Sequence, residues 1–219
     1  METARGSGMT LARALVRNAA IGVAVADKPE DLKTFLQPGC AGAIWRRQPE
    51  PTFQKWIDTL NPSLSPQGRI VLRASAVPSA VTALCDVAEA PDCHERDQLI
   101  GDISALAGIF AGLMKAPYLR LRLQAVTTNA CRKFHIDAIT ARLVCTYRGQ
   151  GTQYGISTDG RDPARVFSVA TGAPILLRGT LWPEYPASGL LHRSPPIEGT
   201  GETRLVLVLD AVDSPEDHI

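Results

Sequence analysis

The chain has 219 residues, 45% of them apolar, and carries a net charge of +1 at pH 7. This length suits one domain with a full hydrophobic core. The balanced charge excludes the strongly basic face of a nucleic-acid-binding protein, and no apolar run reaches the ~18 residues of a membrane span. The five cysteines are odd in number and form no CxxC pair, which favours free thiols in a reducing, cytoplasmic compartment.

The first half of the chain is predicted to be rich in helices. Apolar residues at helical spacing and helix-start signals indicate helices at Asp27–Leu36, Pro51–Leu60, Pro78–Ala88 and Cys93–Lys115. Short apolar runs predict strands at Ile21–Ala26, Ala41–Arg47 and Ile70–Leu72. The expected fold class is α+β, in which residues 20–116 form a helix-rich support for the remainder of the chain.

At Pro117 the pattern changes to short strands separated by turn residues. Tyr118–Val126 alternates strictly between two kinds of side chain, as half-buried strands do. Further β-like runs follow at Lys133–Asp137, Ala141–Tyr147, Val166–Ala170, Pro174–Leu177 and Arg204–Asp210. Residues 117–212 are therefore predicted to form the β core of a single domain that spans residues 1–219.

Two histidines and one acid form the main candidate site. His135 and Asp137 are one residue apart, so on a strand both side chains point to the same face. His192 precedes the predicted strand Arg204–Asp210 and offers a third ligand. Two histidines and a carboxylate with open coordination positions are typical of non-haem iron(II) oxygenases, although imidazole also suits zinc. The alternative is a core histidine that is hydrogen-bonded to a nearby acid.

From Arg120 to Asp210 the chain resembles the iron(II)- and 2-oxoglutarate-dependent dioxygenases. The resemblance rests on the His-x-Asp motif, the glycine-containing turn Tyr147–Thr152, the stretch Gly172–Gly179 and the distal His192. It implies a double-stranded β-helix, which is a jelly-roll or cupin-like barrel.

The same resemblance implies roles for individual residues. His135, Asp137 and His192 would bind iron(II). Arg204 would bind a carboxylate of the cosubstrate 2-oxoglutarate, a task that suits the planar guanidinium group. Tyr147 and Tyr154 are the candidates for a second contact with 2-oxoglutarate.

The whole chain also resembles a narrower bacterial family, the domain of unknown function numbered eighteen twenty-six. The stretches that carry this resemblance are Cys131–Asp137, Thr146–Gly149 and His192–Pro196. The family is associated with zinc-responsive genes, which implies a role in zinc homeostasis without supplying a mechanism.

Four more residues near the predicted ligands are candidates for contacts with the substrate or with the ligands. Arg142 lies in an otherwise apolar strand and Arg193 follows His192, so both are positioned to hold an anionic group. Cys131 and Cys145 are candidate soft ligands that would favour zinc, and the alternative is that they are small buried hydrophobes.

These observations leave three functional hypotheses. The first is an iron(II)- and 2-oxoglutarate-dependent oxygenase that acts on a small molecule. The second is a zinc-binding protein that uses the same three ligands without redox chemistry. The third is a metal-free barrel that binds a ligand or partner.

Overall fold

A computed structural model describes residues 21–157, 159–184 and 187–216. Strands β1 (Gly22–Ala26), β2 (Cys40–Trp45) and β3 (Gly68–Leu72) alternate in the first half with helices α1 (Pro51–Thr59), α2 (Val77–Val87) and α3 (His94–Met114), and with 3₁₀ helices at Pro29–Leu36, Pro62–Leu64 and Ala74–Ala76. The second half contains β4 (Tyr118–Val126), β5 (Ala141–Arg148), β6 (Gln153–Ile156), β7 (Phe167–Ser168), β8 (Pro174–Arg178), β9 (Leu190–Arg193) and β10 (Arg204–Val212).

The strands form two sheets. The major sheet has seven strands in the order β1-β2-β8-β5-β10-β4-β3, and the minor sheet has three in the order β7-β6-β9. Only the β1–β2 pair is parallel among the pairs of these described strands. Apolar side chains of the major sheet pack against those of the minor sheet, and they include Val144, Ile175, Val206, Val208, Tyr154, Ile156 and Leu190. The fold is therefore mixed α/β with a large sheet, and one face of that sheet is turned toward the smaller sheet.

The helices cover the other face of the major sheet. Because side chains alternate along a strand, every second residue of β4, β5 and β10 points toward the helices. The fully buried leucines on this face include Leu119, Leu121, Leu143, Leu207 and Leu209. Helix α3 buries one stripe against them, from Leu99 to Phe110. By length and composition alone α3 would suit a membrane span, but this stripe packs in the core. Each buried leucine contributes about 1.5–3 kcal/mol.

Most of the predicted elements are present, with three differences. The predicted strand Lys133–Asp137 is wrong, because only His135 in that stretch forms a β-bridge. Strands β6 and β9, the main part of the minor sheet, were not predicted. The first half is not a separate helical support, since β1, β2 and β3 belong to the major sheet.

Candidate metal centre

The segment that carries His135 lies along β9 and brings the two histidines together. The backbone N–H of His135 donates to the carbonyl of His192 at 3.1 Å, and the reciprocal hydrogen bond measures 3.0 Å. The N–H of Ser194 donates to the carbonyl of Cys131, which extends the contact by one more hydrogen bond. Directly opposed residues project to the same side, and the two imidazole centroids are consequently 4.6 Å apart.

Asp137 is held by the turn that follows β8. The N–H of Thr180 donates to the carbonyl of Asp137 at 2.9 Å, and Leu181 binds the carbonyl of Ile139 in the same way. This close approach requires glycine at position 179, because a Cβ there would lie 1.9 Å from the carbonyl oxygen of Ile139. The end of β8 thus fixes the backbone from which the Asp137 carboxylate projects.

The three side chains have the spacing of metal ligands. One ligand atom from each of His135, Asp137 and His192 lies within 4.8 Å of the others. Asp137 Oδ2 is 3.0 Å from His192 Nε2, and Asp137 Oδ1 is 3.5 Å from His135 Nε2. Metal–ligand bonds of about 2.1 Å place neighbouring ligand atoms of an octahedral site about 3 Å apart.

Asp137 Oδ2 is the atom that most clearly indicates a metal. It is buried and has no hydrogen bond of good geometry, although His192 Nε2 is close. Burial alone would raise the pKa of Asp137, but the adjacent imidazoles of His135 and His192 and the charge of Arg142 lower it well below its usual range. A buried carboxylate oxygen that stays ionised and unbonded is the donor a divalent cation needs.

The two imidazoles are oriented differently but both suit a metal. His135 Nδ1 is 2.9 Å from the carbonyl of Lys133. A carbonyl only accepts, so Nδ1 carries the proton and Nε2 presents its lone pair in the neutral ring. The carboxylate of Asp137 raises the pKa of His135, whereas burial lowers the pKa of His192 and favours its neutral, ligating form.

Arg142 positions the carboxylate of Asp137. Its Nη1 lies 2.7 Å from Asp137 Oδ1, which leaves Oδ2 to face His192. Its Nε and Nη2 donate to the two oxygens of Asp210 at 2.6 and 2.9 Å. Asp210 is 3% exposed and is also 3.5 Å from Arg120 Nη1. Sequence reasoning missed Asp210, although an acid within the apolar run of β10 is a recognisable signal.

Beside the histidines lies a cavity of about 100 Å³ that contains Arg204 in its wall. Arg204 is 2% exposed, and its partners are neutral: the carbonyl of Gln150 at 2.6 Å and Thr146 Oγ1 at 3.2 Å. Within the described residues it forms no ion pair. Burial lowers the pKa of Arg204 to about 10, so the group remains charged at pH 7. We call this the Arg204 cavity.

Neither of the two predicted tyrosine contacts is among the residues that line the Arg204 cavity. Tyr147 lies on the helix side of the major sheet, where its hydroxyl donates to Asp102 at 2.7 Å beside Arg47. Tyr154 lies opposite His192 in the minor sheet, but its ring stacks on Phe167 with 5.6 Å between centroids. The placement of Tyr147 corrects the prediction made for it, since the sheet separates it from the metal ligands.

The remaining candidates fall into two groups. Cys145 is fully buried on the helix side of the sheet, and burial raises the pKa of its thiol to about 12, so it is not a ligand of this centre. Cys131 and Arg193 both line the Arg204 cavity. Cys131 is exposed and lies outside the cluster of His135, Asp137 and His192. The side chain of Arg193 donates a hydrogen bond to Gln153 at 2.8 Å.

Residues 26–210 match the model of the family described as "Protein of unknown function (DUF1826)". The chain belongs to this family. No curated protein matches the sequence.

Two solved structures have a similar fold. One is the dioxygenase for auxin oxidation 1 from Arabidopsis thaliana in a complex with 2-oxoglutarate, with 11% identity, a TM-score of 0.52, and coverage of 89% of this chain and 93% of that one. The other is the dioxygenase for auxin oxidation from rice, with 15% identity, a TM-score of 0.50, and coverage of 90% and 84%. The DUF1826 chain thus shares the fold of these dioxygenases.

Proposed function

We propose that this protein is an iron(II)- and 2-oxoglutarate-dependent oxygenase that acts on a small molecule. The observation that carries the proposal is the convergence of His135, Asp137 and His192 beside the Arg204 cavity. Arg204 is buried in the wall of this cavity and has no carboxylate partner within the described residues. The arrangement of the major and minor sheets supports a double-stranded β-helix as the scaffold. The five free thiols support a reducing, cytoplasmic location.

In this proposal the three side chains hold iron(II) and leave open coordination positions. Bound iron(II) supplies the capacity to activate oxygen, which protein side chains lack. In the overall reaction one oxygen atom of O₂ enters the product and the other enters succinate, while 2-oxoglutarate loses CO₂. Arg142 keeps the Asp137 carboxylate in place, so the ligands are organised before the cosubstrates bind.

Arg204 has the chemistry to bind the second carboxylate of 2-oxoglutarate. Its guanidinium is buried and charged and already bonded on one side to neutral acceptors, so an incoming carboxylate would meet an oriented cation. Val144, Val206 and Val208 line the same cavity and limit the entry of water around the chain of the cosubstrate.

The test is anaerobic calorimetry with iron(II) and 2-oxoglutarate, followed by a measurement of succinate in air. We expect 2-oxoglutarate to bind only to the metal-loaded protein and Arg204→Gln to weaken that binding about 100-fold, because a buried charge-assisted contact is lost. A protein that binds iron(II) tightly but does not bind 2-oxoglutarate would contradict the cosubstrate assignment.

One observation favours a second candidate function. Cys131 lines the same cavity as the histidines, and a thiolate is a preferred ligand of zinc. The zinc-binding alternative, with a role in zinc homeostasis, predicts stoichiometric zinc that survives dialysis and protects Cys131 from alkylation. Cys93, which is partly exposed at the start of α3, serves as the reference thiol.

A further inference from the structure

A second cavity, of about 180 Å³, adjoins the Arg204 cavity. Its charged lining consists of Arg69, Arg120, Arg122, Arg142, Asp137 and Asp210. We call it the arginine pocket. It shares Arg122 and Arg142 with the Arg204 cavity, and Asp137 places it directly beside the metal centre.

The charges in the arginine pocket do not balance. Four guanidinium groups meet two carboxylates, and both carboxylates already have partners. Asp210 is bound by Arg142 and Arg120, and Asp137 is bound by Arg142 through Oδ1. The excess positive charge therefore belongs to Arg69 and Arg122.

Arg69 and Arg122 are directly opposite each other in the β3–β4 pair. Like charges in this position repel, which destabilises the sheet unless something lies between them. Arg122 is half-buried, and within the described residues it makes no hydrogen bond and no ion pair. Burial and the neighbouring Arg142 lower the pKa of Arg122. Arg69 is exposed and therefore lies where the pocket meets solvent.

Arg122 contrasts with the arginines that the sequence had singled out. Arg142 is engaged by Asp137 and Asp210, and Arg193 is engaged by Gln153 and by the ring of Phe134 at 4.4 Å. Arg204 belongs to the cosubstrate end of the site. Arg122 is a half-buried guanidinium that has no hydrogen bond or ion pair among the described residues, and it lies beside a candidate metal ligand and opposite a second arginine. This arrangement suits the binding of an oxyanion.

We propose that the arginine pocket binds an anionic group of the substrate, a carboxylate or a phosphate, through Arg122 and Arg69. This inference rests on the proposed oxygenase function and adds the substrate class to it. The anion screens the repulsion between the two arginines and holds the rest of the substrate next to the metal. Arg204 would bind the cosubstrate and Arg122 the substrate, so the two anions occupy opposite parts of one positively charged region.

The experiment titrates inorganic phosphate into the zinc-loaded full chain, followed by ³¹P NMR at constant low ionic strength. Zinc replaces iron here because it is redox-inert, and the titration is repeated with saturating 2-oxoglutarate. We expect Arg122→Gln to weaken phosphate binding about tenfold or more and Arg69→Gln to weaken it less, because Arg69 is solvated. Arg204→Gln and the control Arg73→Gln, an exposed arginine just beyond β3, should leave it unchanged.

Calorimetry with 2-oxoglutarate should give the reverse pattern. We expect Arg204→Gln to weaken binding of the cosubstrate, Arg122→Gln to weaken it less, and Arg69→Gln, which lines only the arginine pocket, to leave it within about twofold of wild type. If 2-oxoglutarate fails to bind at all, the oxygenase proposal fails while the phosphate pattern still decides whether Arg122 and Arg69 form an anion site.

Two results would overturn the arginine pocket as an anion site. One is equal phosphate affinity in wild type, Arg122→Gln and Arg69→Gln. The other is loss of phosphate binding in Arg204→Gln alone. Misfolding is checked by thermal unfolding, in which Arg122→Gln should be at least as stable as wild type because the repulsion is removed. Arg122→Lys keeps the charge and should retain part of the phosphate affinity.

Discussion

Arginines line cavities on both faces of the major sheet, but their partners differ. On the helix side, Arg47 forms a bidentate pair with Asp102 at 2.6 and 2.7 Å and also donates to the carbonyl of Gly172. Asp102 in turn accepts from Tyr147. On the inner side, Arg122 and Arg204 have no carboxylate partner within the described residues. The arginine beside the helix-side cavity is thus neutralised by a carboxylate, whereas these two arginines in the walls of the inner cavities are not.

Cavity size alone would have favoured the helix side. A cavity of about 420 Å³ lies there and is lined by Arg47, Asp102 and Phe53. The two smaller cavities adjoin the metal ligands. Charge balance distinguishes these cavities better than volume does, because a charged group in a cavity wall that has no countercharge is costly unless a ligand supplies one.

The largest effect should come from removing the ligand charge on the inner face. Asp137→Asn keeps the shape of the side chain but loses the negative charge that attracts a divalent cation. We expect affinity for manganese(II), measured by electron paramagnetic resonance, to fall more than about 100-fold, since even residues that only orient ligands are worth 10–100-fold. Asp102→Asn, the matched change on the helix side, should leave metal affinity unchanged. Equal losses in both variants would contradict the assignment of roles to the two faces.

The second-largest effect on metal affinity is expected from replacing Arg142, since this side chain orients Asp137 without contacting the metal. Arg142→Gln is expected to lower metal affinity about 10–100-fold. It should also destabilise the fold by about 3 kcal/mol, because Asp210 keeps only its longer contact with Arg120. Urea unfolding and metal titration separate these effects. The double variant Arg142→Gln/Asp210→Asn should recover stability but not metal affinity, and recovery of both would show that Arg142 does not position Asp137.

Lowering the pH is expected to have a smaller effect on metal affinity than these substitutions. The pKa of His135 is raised by Asp137, while the pKa of His192 is lowered by burial. As pH falls through the raised pKa, a proton competes with the metal for His135, and metal affinity should drop about tenfold per pH unit. His94→Ala, at the exposed start of α3, should show the same profile. A fall in metal affinity of about 100-fold per pH unit would mean that protons compete for His135 and His192 over the same pH range. That result would contradict the expected separation of their pKa values.

The parts of the fold that were predictable are those with a local signal. The buried stripe of α3 and the alternation of β4 follow from periodicity within a single element. Strand β9 was missed because its four residues, Leu190–Arg193, are too few to show a period. The segment around His135 was misassigned for a related reason, since its single bridge to β9 is set by the tertiary fold.

The residues of the candidate site also divide into those with a local sequence signal and those whose placement depends on the tertiary fold. The candidate ligands were predictable because His135 and Asp137 form a motif, whereas the resemblance that suggested Tyr147 did not show which face of β5 its side chain occupies. Cys145 and Tyr147 share the helix-facing side of β5 with Leu143, so the alternation of that strand did contain the correct answer. The opposition of Arg69 and Arg122 had no such signal, because it depends on how β3 and β4 pair.

The smallest effect on the metal centre should come from breaking the charge pair on the helix side. Arg47→Met leaves Asp102 with Tyr147 as its partner and should destabilise the fold by about 2 kcal/mol, less than for a fully buried pair because both side chains are partly exposed. Metal affinity should stay within about twofold of wild type. Arg47→Met/Asp102→Leu/Tyr147→Phe should regain stability, since neither an unpaired charge nor the buried hydroxyl of Tyr147 remains. A clear fall in metal affinity in Arg47→Met would mean that the sheet transmits strain between its faces. The helix side and the inner side could then not be treated as independent sites.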